Sequence, residues 1–294
     1  MILKNKFGEV RSGWILTLLI VTDFFVMFLA ISLSSLFENV FAQKWDDQMD
    51  YLILYPISIV TFLVLFHLIY KRPLEQMGLH RKGWLPQLLF GCLFGMVYIV
   101  LCEVVLLFTG VAYIKDLNWS HLTDLRILFG EYGLLAFILC GFTEEIIYRG
   151  FMMTALKTTR VKWLIVLLPA IIFSLMHFPE KPMGWMDLLL AGTLFAYLFI
   201  KTGRLWAPIG FHIMCNFCQA LFGISVGDRE VASLMTTVLT GPDWVTGGDD
   251  GSAGGISILV TLLCLLYVHF FVKKSKQPFW SMDSHMPLRR GMEG

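Results

Sequence analysis

Eight apolar runs constrain this chain more than any other feature. Several of them are long enough to cross a bilayer as a helix. A helix needs about 20 apolar residues to cross a bilayer. Because lipid offers the backbone no hydrogen-bond partners, such a run forms a helix, in which the backbone groups bond to one another. The 294 residues are 57% hydrophobic and 15% charged, with a mean hydropathy of +0.70, unlike a soluble domain. The sequence therefore predicts an all-α, polytopic membrane helix bundle that forms a single transmembrane domain over 1–294. The runs are 13–37, 51–70, 85–109, 134–156, 163–177, 186–200, 207–221 and 256–272.

The lengths of the later runs suggest where they pack. The fifth, sixth and seventh runs have about 15 residues each, which is short for a full crossing. Such helices fit the inside of a bundle, around a cavity, better than a position against lipid.

The connection before the last run contains the glycine-rich stretch 247–255, which predicts a flexible linker.

Basic residues in the connections predict the orientation of the bundle. Of the 23 Lys and Arg residues, 18 lie in the two tails or in alternate connections, and five lie in the others. Cytoplasmic loops carry the excess of basic residues, so both termini are expected in the cytoplasm. The net charge of +1 and the scattered bases indicate no nucleic-acid partner. The 18 are Lys4, Lys6, Arg11, Lys71, Arg72, Arg81, Lys82, Arg149, Lys157, Arg160, Lys162, Lys201, Arg204, Lys273, Lys274, Lys276, Arg289 and Arg290; the five are Lys44, Lys115, Arg126, Lys181 and Arg229.

The fourth run contains two adjacent carboxylates and an arginine in an otherwise apolar stretch. Ionisable residues inside a membrane indicate a functional site by default. Residues four apart share a helix face, so Glu145 is predicted to face Arg149, whereas Glu144 points elsewhere without that partner. A carboxylate outside an ion pair can exchange protons, as a general base must. The structural alternative is a buried salt bridge with a spare acid.

Two later runs carry further polar motifs. Phe173 and His177 lie four residues apart, and so do His212 and Asn216. A single membrane histidine is commonly a helix-to-helix hydrogen-bonding residue, but three polar sites on nearby helices can meet in one bundle. Together they would form a hydrolytic centre, in which Glu144 and His177 activate water and His212 and Asn216 donate hydrogen bonds to an oxyanion.

These motifs resemble those of the CAAX prenyl endopeptidase and bacteriocin-processing (CPBP, or ABI) family of intramembrane proteases. The resemblance covers about 134–221 and rests on the sequences EExxxRG from Glu144, FxxxH from Phe173 and HxxxN from His212. It implies a catalytic core at 134–221 with a cavity open to the cytoplasmic side. The catalytic residues would be Glu144, His177, His212 and Asn216, supported by Glu145, Arg149 and Phe173. The substrate would be a membrane-associated peptide or protein, and the expected location is a bacterial cell membrane.

Other functions and a metal requirement remain open at this stage. The same ionisable residues would suit a proton or ion relay in a transporter, although the chain lacks the paired repeats of many transporters. A non-catalytic immunity or scaffold protein is a third interpretation, since the family includes such proteins. Glu144, His177 and His212 would also make a two-histidine, one-carboxylate zinc set. A zinc site usually draws two ligands from one short motif, so we expect no obligatory metal.

Overall fold

The fold is an all-α membrane helix bundle, as predicted. The computed structural model describes residues 10–41, 51–130, 132–224, 232–248, 254–275 and 279, and 77% of the chain is helical. Among these residues, five helical passages are long and apolar enough to cross a bilayer, and two further apolar helices are shorter. The chain is therefore an integral, multi-pass membrane protein.

Each predicted run corresponds to a helical passage in the structure. The sixth was predicted too short: α8 has 21 residues and is long enough to span, because it begins with a proline that suits a first helical turn and ends before Gly203 in the left-handed region. The bounds are α1 Ser12–Phe41, α2 Tyr51–Tyr70, α3 Trp84–Phe108, the short α4 Arg126–Phe129, α5 Leu134–Glu144, α6 Met153–Leu156, α7 Lys162–Met176, α8 Pro182–Thr202, α9 Trp206–Leu221, the short α10 Asp243–Thr246 and α11 Gly255–Phe271.

The fourth passage is not one continuous α-helix. Between α5 and α6 the chain forms a π-helix over Glu145–Met152, in which each amide bonds to the carbonyl five residues back. We refer to the whole passage 134–156 as the rod. π-Helical turns are rare and occur mostly at functional sites, and this one begins at the second carboxylate of the EExxxRG motif.

Close packing of α3 on α9 places the motif helix α9. This is the most extensive helix pair among the described residues. A Cβ atom on Gly95 would lie 2.3 Å from the Phe211 carbonyl oxygen, and one on Gly210 would lie 2.2 Å from that of Leu88. Small residues let membrane helices approach until their backbones touch. This contact fixes the side of α9 that turns away from α3, toward the rod.

A two-stranded antiparallel sheet covers one end of the bundle, where the sequence predicted only loops. Strand β1 spans Ala112–Leu117 and strand β2 spans Met235–Leu239. Thr237 of β2 donates a hydrogen bond of 2.8 Å to the buried carboxylate of Glu103 in α3, which anchors the sheet on the bundle. Most of the predicted glycine linker, 249–253, lies outside the described residues, and Gly255 already begins α11.

The two ends of the bundle can be named from these contacts. The sheet side is the end that bears β1 and β2. At the opposite end, the termini side, Ser12 donates to the Ala155 carbonyl at 2.7 Å, and Lys201 donates to the carbonyl of His269. Arg149, counted above with the loop residues, lies in the rod and is buried.

We expect Gly95→Ala to destabilise the bundle, because its new methyl group would meet backbone atoms of Phe211 that no side-chain rotation can move. Overpacking of this kind costs about 1–3 kcal/mol. Gly13→Ala is the matched control, since nothing lies within 4 Å of its added Cβ. Thermal unfolding of the two purified variants in detergent should show a lower Tm for Gly95→Ala alone, and equal Tm values would contradict the packing argument.

Candidate active site

A buried ion pair forms the base of the site. Arg149 Nη1 lies 2.8 Å from Glu145 Oε1, and both side chains are inaccessible, at 1% and 0% exposure. Arg149 also donates to the carbonyl of Gly192 in α8 at 3.2 Å. Its guanidinium carbon lies 4.6 Å from the ring centre of Phe173 and 4.8 Å from that of Phe195, distances typical of cation–π contacts. The arginine thus joins the rod to α7 and α8.

Glu145 has a second partner that the sequence analysis missed. The same Oε1 atom lies 3.1 Å from Nδ1 of His212 in α9. An ionised carboxylate can only accept hydrogen bonds, so Nδ1 of His212 carries the proton in this contact. The His212 ring also stacks on Phe195, with ring centres 4.9 Å apart. Glu145 and Phe195 therefore hold this ring in one orientation, with Nε2 directed toward Glu144. No local pattern signals the contact, because its partners are 67 residues apart.

Glu144 lies between the two motif histidines. Its Oε2 atom is 3.8 Å from Nε2 of His177 and 3.7 Å from Nε2 of His212, both longer than a direct hydrogen bond. Within the described part of the chain, this buried oxygen has no hydrogen-bond partner. The other oxygen, Oε1, accepts a hydrogen bond from the Cys140 thiol at 3.2 Å. The sequence analysis overlooked Cys140, although its i, i+4 spacing to Glu144 is visible in the sequence.

His177 follows directly after the last turn of α7. Its Nδ1 atom lies 2.7 Å from the Phe173 carbonyl, and since that carbonyl can only accept, Nδ1 is the protonated nitrogen. Nε2 is then left with its lone pair facing Glu144. The side chain is one-third exposed, so His177 is the most solvent-accessible of the three central side chains. Phe173 therefore supports the site twice, through its carbonyl and through its ring against Arg149.

A cavity of about 360 Å³ lies against this cluster. Its wall includes His177, His212 and Asn216, while Glu144 lies just behind the two histidines and is not on the wall. Asn216 is one turn beyond His212 on α9, as the sequence predicted from their spacing. Of the predicted catalytic residues, three line the cavity, and Glu144 lies within 3.8 Å of the two histidines among them.

Whether the site can hold a metal ion depends on the spacing of its donor atoms. The only group of three such ligands within 4.8 Å of one another, among the residues the structure describes, is Cys140, Glu144 and His212. His177 is not part of it. Ligands of a tetrahedral zinc ion lie about 2.0–2.3 Å from the metal, so their atoms are roughly 3.4 Å apart. The predicted set of Glu144, His177 and His212 is thus not assembled in zinc-binding geometry.

We expect Glu145→Gln to lower the yield of folded protein, because it leaves the buried Arg149 charge without its counter-ion. Breaking a buried pair by removing one partner typically costs about 3–5 kcal/mol. Asp124→Asn is the matched control, since Asp124 pairs with Arg126 in an exposed connection. Size-exclusion chromatography of detergent extracts should show a folded peak that is reduced only for Glu145→Gln. An undiminished peak would show that the pair is dispensable for folding.

A family model matches the part of the chain that carries the motifs. Residues 129–218 match the model of a family described as type II CAAX prenyl endopeptidase Rce1-like. This segment contains the rod, α7 and α8, and it reaches into α9 as far as Cys218, so it includes all three motifs. No curated protein and no solved structure matches the chain. The chain thus carries an Rce1-like domain over 129–218, and this match supports the resemblance of its motifs to those of the CPBP family of membrane proteases.

Proposed function

We propose that this protein is an intramembrane endopeptidase that hydrolyses a peptide bond of a membrane-associated peptide or protein. The observation that carries the proposal is the position of Glu144 Oε2, within 3.7–3.8 Å of two histidine Nε2 atoms beside a cavity large enough for a peptide segment. Spacings of this size suit polar groups that share one water molecule. The catalytic core would be 134–221 within a single transmembrane domain, and a bacterial cell membrane would be its location.

The proposed reaction uses water as the nucleophile. Glu144, assisted by His177, takes a proton from the water, and the hydroxide attacks the carbonyl carbon of the substrate. The resulting oxyanion would be stabilised by hydrogen bonds from His212 and Asn216. Collapse of the tetrahedral intermediate breaks the C–N bond, and the proton held by Glu144 passes to the leaving amine. No covalent enzyme intermediate is needed.

Glu145 has an orienting role in this scheme. Because its carboxylate accepts a hydrogen bond from Nδ1 of His212, Nε2 is the ring atom that points to the reaction. In the imidazolium form His212 also donates through Nε2, which is what an oxyanion requires. Groups beyond the reacting atoms often set ring orientation in this way. The two adjacent glutamates would thus serve one site, with Glu144 acting on water and Glu145 acting on His212.

The competing functions are less well supported. A proton or ion relay would use the same ionisable residues, but the Rce1-like match is to a protease family. A non-catalytic scaffold or immunity protein would need the family fold without the chemistry, and it would tolerate loss of Glu144. Both alternatives predict that the purified protein hydrolyses no peptide, whether or not Glu144 is present.

Glu144→Gln is expected to lower peptide hydrolysis by about 100-fold or more, because an amide keeps the shape of the side chain but cannot take a proton. The measurement is cleavage of a peptide library by purified protein in detergent, with the folded fraction matched by size-exclusion chromatography. Asp124→Asn, an acid-to-amide change in an exposed connection outside the cavity, controls for lost charge. The proposal fails if the parent chain cleaves no peptide, or if Glu144→Gln retains its rate.

Hydrolysis is expected without an obligatory metal. Dialysis of active enzyme against a strong chelator should leave the rate within about twofold, and elemental analysis should find well under one equivalent of zinc per chain. One equivalent of zinc, with activity lost on chelation and restored by zinc alone, would overturn this assignment. It would then make Glu144 and His212 ligands, with Cys140 or His177 as the third. Cys140→Ser would distinguish these two sets by its zinc content.

A further inference from the structure

The Glu144 carboxylate accepts one hydrogen bond from the residues that the structure describes. Its donor is the thiol of Cys140, one turn earlier in α5, whose Sγ atom lies 3.2 Å from Oε1. The other oxygen, Oε2, has no hydrogen-bond partner among those residues and lies 3.7–3.8 Å from the two histidine Nε2 atoms. The protein therefore holds one oxygen of this carboxylate, while the other faces the proposed water.

The Glu144 side chain does not fix the direction of its own carboxylate. The last torsion of a glutamate is broad and roughly two-fold, so a carboxylate without hydrogen bonds can turn about it. A general base must lie within hydrogen-bond reach of the proton that it takes, and a misplacement of about 1 Å can cost roughly 100-fold in rate. The contact with the Cys140 thiol limits this rotation.

The Cys140 thiol is itself held by α2. Tyr55 in α2 makes a side-chain hydrogen bond with it, and because the one thiol proton is donated to Glu144, the phenol is the donor to the sulfur. Thr143, the residue before Glu144, donates to the Tyr55 carbonyl at 3.5 Å. Cys140 is not part of the cavity wall. It can therefore influence the reaction through Glu144 but does not contact a substrate in the cavity.

A thiol suits this position better than a hydroxyl. Hydrogen bonds to a carboxylate favour its charged form, which opposes the uptake of a proton that a general base must perform. A thiol is a weak donor. It can therefore fix the direction of the Glu144 carboxylate with little loss of its strength as a base.

We propose that Cys140 is a positioning residue for Glu144, and that its thiol holds Oε1 so that Oε2 stays directed at the water between the two motif histidines. This inference rests on the proposed endopeptidase function and adds a residue to its machinery. The alternative is that Cys140 only fills space, since a free cysteine in a protein interior commonly behaves as a small apolar side chain. The two interpretations differ in what loss of the thiol does to kcat.

The hydrogen bond can be measured without any hydrolysis, by infrared difference spectroscopy of purified protein in detergent. The S–H stretching band of cysteine lies apart from other protein bands, and its frequency falls when the thiol donates a hydrogen bond. Subtracting the spectrum of Cys140→Ala from that of the parent chain isolates the band of Cys140. The same subtraction in the Glu144→Gln background should give a band at higher frequency, because a neutral amide is a weaker acceptor than a carboxylate. An unchanged band overturns the contact.

The positioning role is measured on peptide hydrolysis, with folded fractions matched by size-exclusion chromatography. Cys140→Ala should lower kcat by about 10-fold, the scale of one hydrogen bond to a charged group, and should leave KM unchanged. Cys140→Ser keeps a donor and should bring kcat to within about threefold of the parent, short of full recovery because a stronger donor weakens the base. The matched control is Cys264→Ala, which truncates a buried thiol of α11 away from the cavity wall and should leave both constants unchanged.

The outcomes separate this inference from the proposed function. If Cys140→Ala keeps the parent kcat, or if Cys140→Ser is as slow as Cys140→Ala, the positioning role is wrong and the endopeptidase function stands. If Cys264→Ala loses kcat equally, lost packing explains the effect and Cys140 has no specific role. If the parent chain cleaves no peptide, the endopeptidase function fails and the positioning role fails with it, while the infrared measurement still decides whether the thiol donates to Glu144.

Discussion

The site depends on the burial of one arginine in the interior of a membrane bundle. A guanidinium there is tolerable only with a counter-ion and further hydrogen bonds, and Arg149 obtains these from Glu145, the Gly192 carbonyl and two aromatic rings. Its partners come from the rod, α7 and α8. Glu145 extends the network to His212 in α9. One charge thus brings four helical passages together, and three of them carry the motifs.

Close contacts at glycine residues hold the opposite face of α9 against α3. The backbones of α3 and α9 touch at Gly91, Gly95 and Gly210, so α9 cannot rotate without a clash. His212 consequently faces the rod, and Asn216 and Gln219 face the cavity. In a bilayer no hydrophobic force drives helices together, and close backbone packing supplies much of the attraction. The stiffness of the site is therefore a property of helix packing as much as of its polar contacts.

The two adjacent glutamates illustrate how position separates roles. Neighbours on a helix differ by about 100° in direction, and the structure directs Glu145 into the ion pair and Glu144 toward the two histidine Nε2 atoms. The π-helix begins between them. The prediction from the apolar run treats the rod as one regular helix, and the eight-residue π-helix is visible only in the structure.

The sequence by itself determined the class of fold, the number of helical passages, the three motifs and the Glu145–Arg149 partnership. Each of these follows from local rules: the length of an apolar run in lipid, or the geometry of residues four apart. Only the tertiary structure decided that Glu145 also holds His212 and that the sheet anchors on Glu103. Those contacts join residues 67 or more positions apart. Nothing in local spacing encodes them, because they depend on how neighbouring helices are rotated and packed.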